Sequence, residues 1–171
     1  MSIVNPFSRR DLFKFSALAS TLALPFTFKT AHANESQPGV SDEFQFEVVR
    51  SEEEWREILT RREFNILRKG GTEPQRSSEL WNEESKGHYH CKGCDLYIYS
   101  SEQKEVLDRG WLFFFHSEPN SVLTGIDPGG DHGVIEARCR RCGSHLGHIL
   151  FVEDYVRHCI NGISLVFYPE A

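Results

Sequence analysis

Five cysteines and a pair of histidines carry most of the chemistry that this 171-residue sequence can offer. Cys159 stands apart from the others, in Arg157-His158-Cys159-Ile160-Asn161-Gly162, between a guanidinium, an imidazole and an amide. A thiol beside cationic groups has its pKa lowered and the thiolate is the nucleophilic form, so this setting points to Cys159 as a reactive centre. The plainer alternative is a small buried residue on the last strand. The remaining four form two knuckles, Cys91-Lys92-Gly93-Cys94 and Cys139-Arg140-Arg141-Cys142. Paired Cys-x-x-Cys spacings are a common way to assemble a tetrahedral four-sulfur structural zinc site. A redox-active dithiol or a pair of disulfides would use the same residues. His145 and His148 follow the second knuckle directly, in Gly143-Ser144-His145-Leu146-Gly147-His148. With four thiols at hand for a metal they are not needed as ligands, and we expect them to face a pocket as proton donors or substrate contacts. A buried structural histidine is the alternative for each, as core packing is for Trp111.

The elements that must hold these groups are short. Ser51-Glu52-Glu53-Glu54 is a capping box that opens a helix with Trp55, Ile58 and Leu59 on one face. Thr60-Arg61-Arg62-Glu63 opens a second, with Phe64 and Leu67 on its inner side and Gly70-Gly71 at its end. From His88 onward the texture becomes β-type: Leu96 to Tyr99, Trp111 to Phe115, Gly133 to Ala137, Ile149 to Val152 and Ile163 to Tyr168, with a loop at Asp127-Pro128-Gly129-Gly130-Asp131. The expected object is mainly β, an antiparallel domain with short N-terminal helices wrapped on it and a zinc clip worth on the order of 10 kcal/mol of folding free energy.

The N-terminus reads as a targeting segment. Ser8-Arg9-Arg10-Asp11-Leu12-Phe13-Lys14 leads into an apolar run diluted by Ser and Thr, and Ala31-His32-Ala33 fits a small-residue cleavage site. This resembles a twin-arginine export signal, which implies a periplasmic or otherwise exported protein, carried across already folded and loaded with metal. The run is too short and too polar for a persuasive transmembrane helix, so no stable membrane insertion is expected after cleavage. We divide the chain into residues 1–33 as signal, 34–45 as linker and 46–171 as the catalytic domain. Removing residues 1–33 takes away four basic residues (Arg9, Arg10, Lys14, Lys29) and one acidic (Asp11), leaving 15 basic against 24 acidic, a net charge of about −9. That balance argues against a nucleic-acid partner. Met1 is the only methionine, which removes one target of oxidants.

Taken in order, Gly71-Thr72-Glu73-Pro74, Tyr89-His90-Cys91-x-x-Cys94, Gly110-Trp111, the second knuckle running into His145-Leu146-Gly147-His148, and Arg157-His158-Cys159-Ile160-Asn161 resemble the peptide methionine-(R)-S-oxide reductases, the MsrB family. The resemblance runs from about Phe46 to the C-terminus. It implies an MsrB-type twisted antiparallel β-fold, reduction of the R epimer of methionine sulfoxide, a structural zinc on Cys91, Cys94, Cys139 and Cys142, and Cys159 as nucleophile. The sequence departs from the family where Leu112, Phe113 and Phe114 replace the usual Pro-Ser-Phe, where Ile149-Leu150 replaces Val-Phe, and where Arg109 holds the position of a resolving cysteine. The family's acidic loop residue falls on Glu153 or Asp154.

A sulfoxide sulfur is electrophilic only when charge building on its oxygen is neutralised, so the reaction needs a thiolate on one side and a proton donor on the other. We expect Cys159 to supply the first, Arg157 and the imidazoles to stabilise it, His148 to act as acid with His145 its helper, Asn161 to orient one of them, and Trp111 to pack on the ε-methyl group. The oxygen stays on Cys159 as a sulfenic acid. With four thiols on zinc none is left to resolve it, so a thioredoxin-like or other external thiol must, and oxidised exported proteins are the expected substrates. The alternative is a non-catalytic zinc-ribbon-like module that holds a peptide in a degenerate site.

Overall fold

A computed structural model describes residues 44–127 and 133–171. The signal segment, the cleavage site and the linker up to residue 43 lie outside the described residues, as does most of the expected loop after Asp127. No helix among the described residues is long and apolar enough to cross a membrane.

Two helices come first, α1 (Glu52–Ile58) and α2 (Arg61–Lys69). Both capping boxes form: the Ser51 and Thr60 side chains accept from the backbone N–H of Glu54 and Glu63, whose carboxylates bond back to the cap N–H. Each cap is worth about 1 kcal/mol. Gly70 ends α2 in the left-handed conformation, φ 70°. Phe64, Ile66 and Leu67 of α2 are buried. On α1 the expected face is narrower. Trp55 and Leu59 are buried but Ile58 is 53% exposed, because at about 100° per residue a two-turn helix meets the body along one line only.

The strands are β1 (Gly87–Cys91), β2 (Tyr97–Ser100), β3 (Lys104–Glu105), β4 (Leu112–Phe114), β5 (Val122–Ile126), β6 (Ile135–Cys139), β7 (His145–Val152), β8 (Tyr155–Ile160) and β9 (Leu165–Pro169). They form two antiparallel sheets, one ordered β2-β1-β9 and the other β3-β4-β8-β7-β6-β5. The core is aromatic: Tyr99 stacks on Phe114 with ring centroids 4.2 Å apart, and Tyr89 meets Phe114 edge to face at 5.2 Å. The apolar run expected from Ile163 begins as a short 3-10 turn, Gly162–Ser164, and β9 starts only at Leu165. Cys159 lies on β8 rather than on the last strand. The β7–β8 hairpin turns on Glu153 and Asp154, both at positive φ (47° and 67°), the twist that suits a tight two-residue hairpin.

Candidate active site and four-thiol cluster

In a regular strand, residues three apart point to opposite faces. His145 and His148 nevertheless share one, their ring centroids 5.2 Å apart. The register explains this: β6 pairs Ala137 with Gly147 but Arg138 with His145, so one residue of β7 is left over. The bulge resets the alternation and brings both imidazoles together. Gly147 makes it possible. A Cβ there would stand 2.2 Å from the Cys159 carbonyl oxygen and 2.9 Å from Ile160 Cα, closer than any side chain can approach.

Beyond the bulge the ladder is regular. His148 is the Cα partner of Cys159 and Leu150 of Arg157, while on the other side of β8 Phe113 is the partner of Cys159. Thiol and imidazole therefore project from one rung of the same sheet face. They line a cavity of about 160 Å³ with Thr72, Trp111, Leu150 and Asn161. Trp111 is fixed by its indole N–H, which donates to the Glu73 carbonyl at 3.0 Å. Leu112, Phe113 and Phe114 do not line this cavity; all three are buried, Leu112 and Phe114 in the core on the far side of the sheet and Phe113 on the face of Cys159. The altered segment therefore supports the rung, and Trp111 with Leu150 and Thr72 forms the wall.

Each imidazole is held by a carboxylate that sequence reasoning did not single out. Glu136 Oε1 meets His145 Nδ1 at 2.7 Å, and Asp127 Oδ2 meets His148 Nε2 at 2.8 Å. His145 is 3% exposed and burial lowers its pKa, the largest effect on it, against the upward pull of Glu136. Its Nε2 has no protein partner among the described residues. Glu153 and Asp154 are not in the cavity; Glu153 instead binds Arg109 at 3.0 Å.

The thiol departs from expectation in its electrostatics. Burial, and after it the Glu73 carboxylate, push the Cys159 thiol up to about 11 rather than down. Arg157 does not offset this, because its guanidinium donates to Glu105 at 2.6 Å and to the carbonyls of Val152 and Glu153. Its charge is already matched. Asn161 also acts differently from expectation. Its side chain accepts from Glu73 N–H at 2.9 Å and donates to the Leu146 carbonyl at 3.1 Å, so it fixes the 71–73 loop and the bulge rather than an imidazole. Glu73 is itself buried, its pKa raised by burial, and its carboxylate accepts from the N–H groups of Gly162 (2.6 Å) and Ile163 (3.1 Å).

The four knuckle thiols gather in one place, all Sγ atoms within 4.8 Å of one another. Cys91 closes β1 in one sheet and Cys139 closes β6 in the other. The Cys91–Cys142 and Cys94–Cys139 sulfurs are 3.7 and 3.5 Å apart. That is close to the edge of a tetrahedron with about 2.3 Å metal–sulfur bonds, about 3.8 Å, and far from the roughly 2.05 Å of a disulfide. The donor set and its spacing fit a thiophilic tetrahedral ion. Hydrogen bonding among the sulfurs pushes Cys91 and Cys139 above the ordinary thiol range and pulls Cys94 and Cys142 below it.

Residues 59–169 match the model of the SelR domain family. The chain is 40% identical over 129 residues to peptide methionine sulfoxide reductase B3 of Arabidopsis thaliana, covering 72% of each chain. It is 37% identical over 168 residues to the chloroplastic peptide methionine sulfoxide reductase B2 of the same plant, covering 95% of this chain and 81% of that one. It is also 38% identical over 137 residues to peptide methionine sulfoxide reductase MsrB of Agrobacterium fabrum, covering 76% of this chain and 99% of that one.

Proposed function

The chain belongs to the SelR domain family, and from that premise we propose that it is a peptide-methionine (R)-S-oxide reductase acting through Cys159. The observation that carries the reading is the shared rung: a thiol and an imidazole on adjacent strands, facing one small cavity walled by Trp111.

Because the resting thiol is held protonated, the proton that leaves Cys159 is the one the substrate oxygen needs. His148 receives it at one ring nitrogen while Asp127 holds the other, and delivers it to the sulfoxide oxygen as the Cys159 sulfur attacks the substrate sulfur. The oxygen transfers to Cys159, methionine leaves as the thioether, and Cys159 becomes a sulfenic acid. An external thiol then condenses with the sulfenic acid to a mixed disulfide, releasing water, and a second thiol restores Cys159 while the reductant leaves as its own disulfide. Trp111 packs on the methyl group, His145, which does not line the cavity, packs edge to face behind His148 and helps hold its ring, Asn161 fixes the cavity floor, and Arg157 anchors the hairpin that carries Leu150. Cys91, Cys94, Cys139 and Cys142 would hold zinc, whose part is to bind the two sheets together.

Export through a twin-arginine pathway to the periplasm, with residues 1–33 removed, belongs to the same proposal and is supported by the Arg9-Arg10 motif and the Ala31-His32-Ala33 site; N-terminal sequencing of the protein recovered from cells checks it. A stereospecific assay on dabsylated methionine sulfoxide with dithiothreitol tests the chemistry. The R epimer should be reduced and the S epimer not. Wild type that turns over no faster than Cys159→Ser would overturn the assignment and leave the non-catalytic peptide-binding module standing.

A further inference from the structure

Beside the cavity, on the same sheet face, lies an aromatic surface that the reduction itself does not use. Alternation along β8 puts Tyr155 and Arg157 on the side of Cys159, and alternation along β4 puts Phe115, two residues beyond Phe113, there as well. Phe115 is 45% exposed and Tyr155 59% exposed. Their rings meet edge to face, centroids 6.3 Å apart. Beneath them the Arg157 guanidinium sits 5.5 Å from one ring and 5.0 Å from the other. That guanidinium is tied to Glu105 and to the hairpin carbonyls, so the two rings rest on a fixed cation rather than on a mobile side chain.

We propose that the Phe115–Tyr155 pair is a docking shelf for the apolar residues that flank methionine sulfoxide in an extended polypeptide. The proposal rests on the reductase reading and adds to it the surface that would hold the residues on either side of the sulfoxide. Adjacency to the cavity is the first support: Leu150 lines the cavity and is the Cα partner of Arg157, the buried cation on which both rings rest, so cavity and rings are neighbours on one sheet face. Chemistry is the second. Free methionine sulfoxide carries an ammonium and a carboxylate that call for charged partners, yet Arg157 and Arg109 beside the cavity are matched by Glu105 and Glu153. What the rim offers instead is aromatic area, together with tyrosine's polar tip, the surface type that anchors a peptide chain.

The test compares two substrates on one enzyme. Wild type and the double variant Phe115→Ser/Tyr155→Ser are assayed on N-acetyl-methionine-R-sulfoxide and on a peptide with leucine on both sides of the sulfoxide. The expected result is a rise of about tenfold in KM for the peptide with kcat held, and no change on the small substrate. The pair Phe115→Leu/Tyr155→Leu keeps an apolar cover over Arg157 and should retain most of the peptide preference, which separates loss of docking from loss of fold. Equal loss on both substrates, or an unchanged peptide KM, overturns the shelf. So does wild type sedimenting as a dimer that the serine variant dissociates, which would assign the surface to a second copy of the chain. Failure of wild type on the small substrate would sink the reductase reading instead.

Discussion

His148 and Cys159 face each other across the β7–β8 pair as Cα partners, their side chains on one side of the sheet and in one cavity. Replacing either should strike the same step. Cys159→Ser should abolish turnover, whereas His148→Asn should lower kcat by 10² to 10⁴, the usual worth of a positioned acid or base. Single-turnover release of methionine measures both. An asparagine variant with wild-type kcat would remove the proton-transfer role.

The protonated resting thiol has a pH signature. Its pKa is raised to about 11 by burial and then by Glu73, so between the ordinary thiol range and pH 11 the folded protein keeps a proton that the unfolded chain releases. The stability this contributes is complete below the ordinary thiol pKa and is lost as pH rises toward 11. Alkylation of Cys159 by iodoacetamide should be slow at neutral pH and rise about tenfold per pH unit to pH 10. A plateau reached by pH 8 would contradict the burial argument.

Removing the Glu73 charge should move that profile. Its carboxylate raises the Cys159 pKa and also receives two backbone N–H groups. Glu73→Gln should therefore speed alkylation at pH 8, and the lost charge-assisted bonds should lower stability by about 1–3 kcal/mol. Urea titration and the alkylation rate separate the two effects.

Gly147→Ala is the sharpest steric probe, since the added methyl would collide with the Cys159 backbone at 2.2 Å. Relief requires β7 and β8 to part at the catalytic rung. The expected cost is about 3 kcal/mol, with activity lost even in the fraction that stays folded. Thermal denaturation read together with activity at low temperature tests it.

Stripping the four-thiol cluster with a chelator should expose thiols that were protected and unfold the domain, because such sites contribute on the order of 10 kcal/mol. Titration with a disulfide reagent before and after chelation, followed by circular dichroism, decides this. A domain that keeps its signal with all five thiols reactive would make the cluster dispensable.

Much of this could be read in the chain because it is local. Both capping boxes are four-residue patterns and both formed, and the knuckles declare themselves by spacing. Strand β8 was hidden, since Tyr155-Val156-Arg157-His158-Cys159-Ile160 has no clean apolar alternation. One side faces the cavity, and the other buries His158 against the Tyr99 hydroxyl at 3.0 Å, with burial holding that imidazole down to about 4. The shared face of His145 and His148 was also hidden, because it depends on a bulge whose sole trace is Gly147. The carboxylates Glu73, Glu105 and Asp127 lie 89, 52 and 21 residues from the groups they bind, and Glu136 reaches His145 only through the β6–β7 pairing, so a charge census treats all four as ordinary solvated residues. The thiol's environment depends on the same long-range pairing. Adjacency in sequence suggested that Arg157 would serve Cys159, whereas pairing across strands gave it to Glu105.

Cys142 and His145 are separated only by Gly143 and Ser144, and the Ser144 hydroxyl lies 3.2 Å from the Cys142 sulfur. An oxidant that attacks the cluster therefore reaches the proton-handling wall through a single turn of backbone. Loss of the cluster would free the start of the strand that carries both imidazoles, so a molecule with its four sulfurs disarranged should lose the alignment of that wall while Cys159 is still chemically intact.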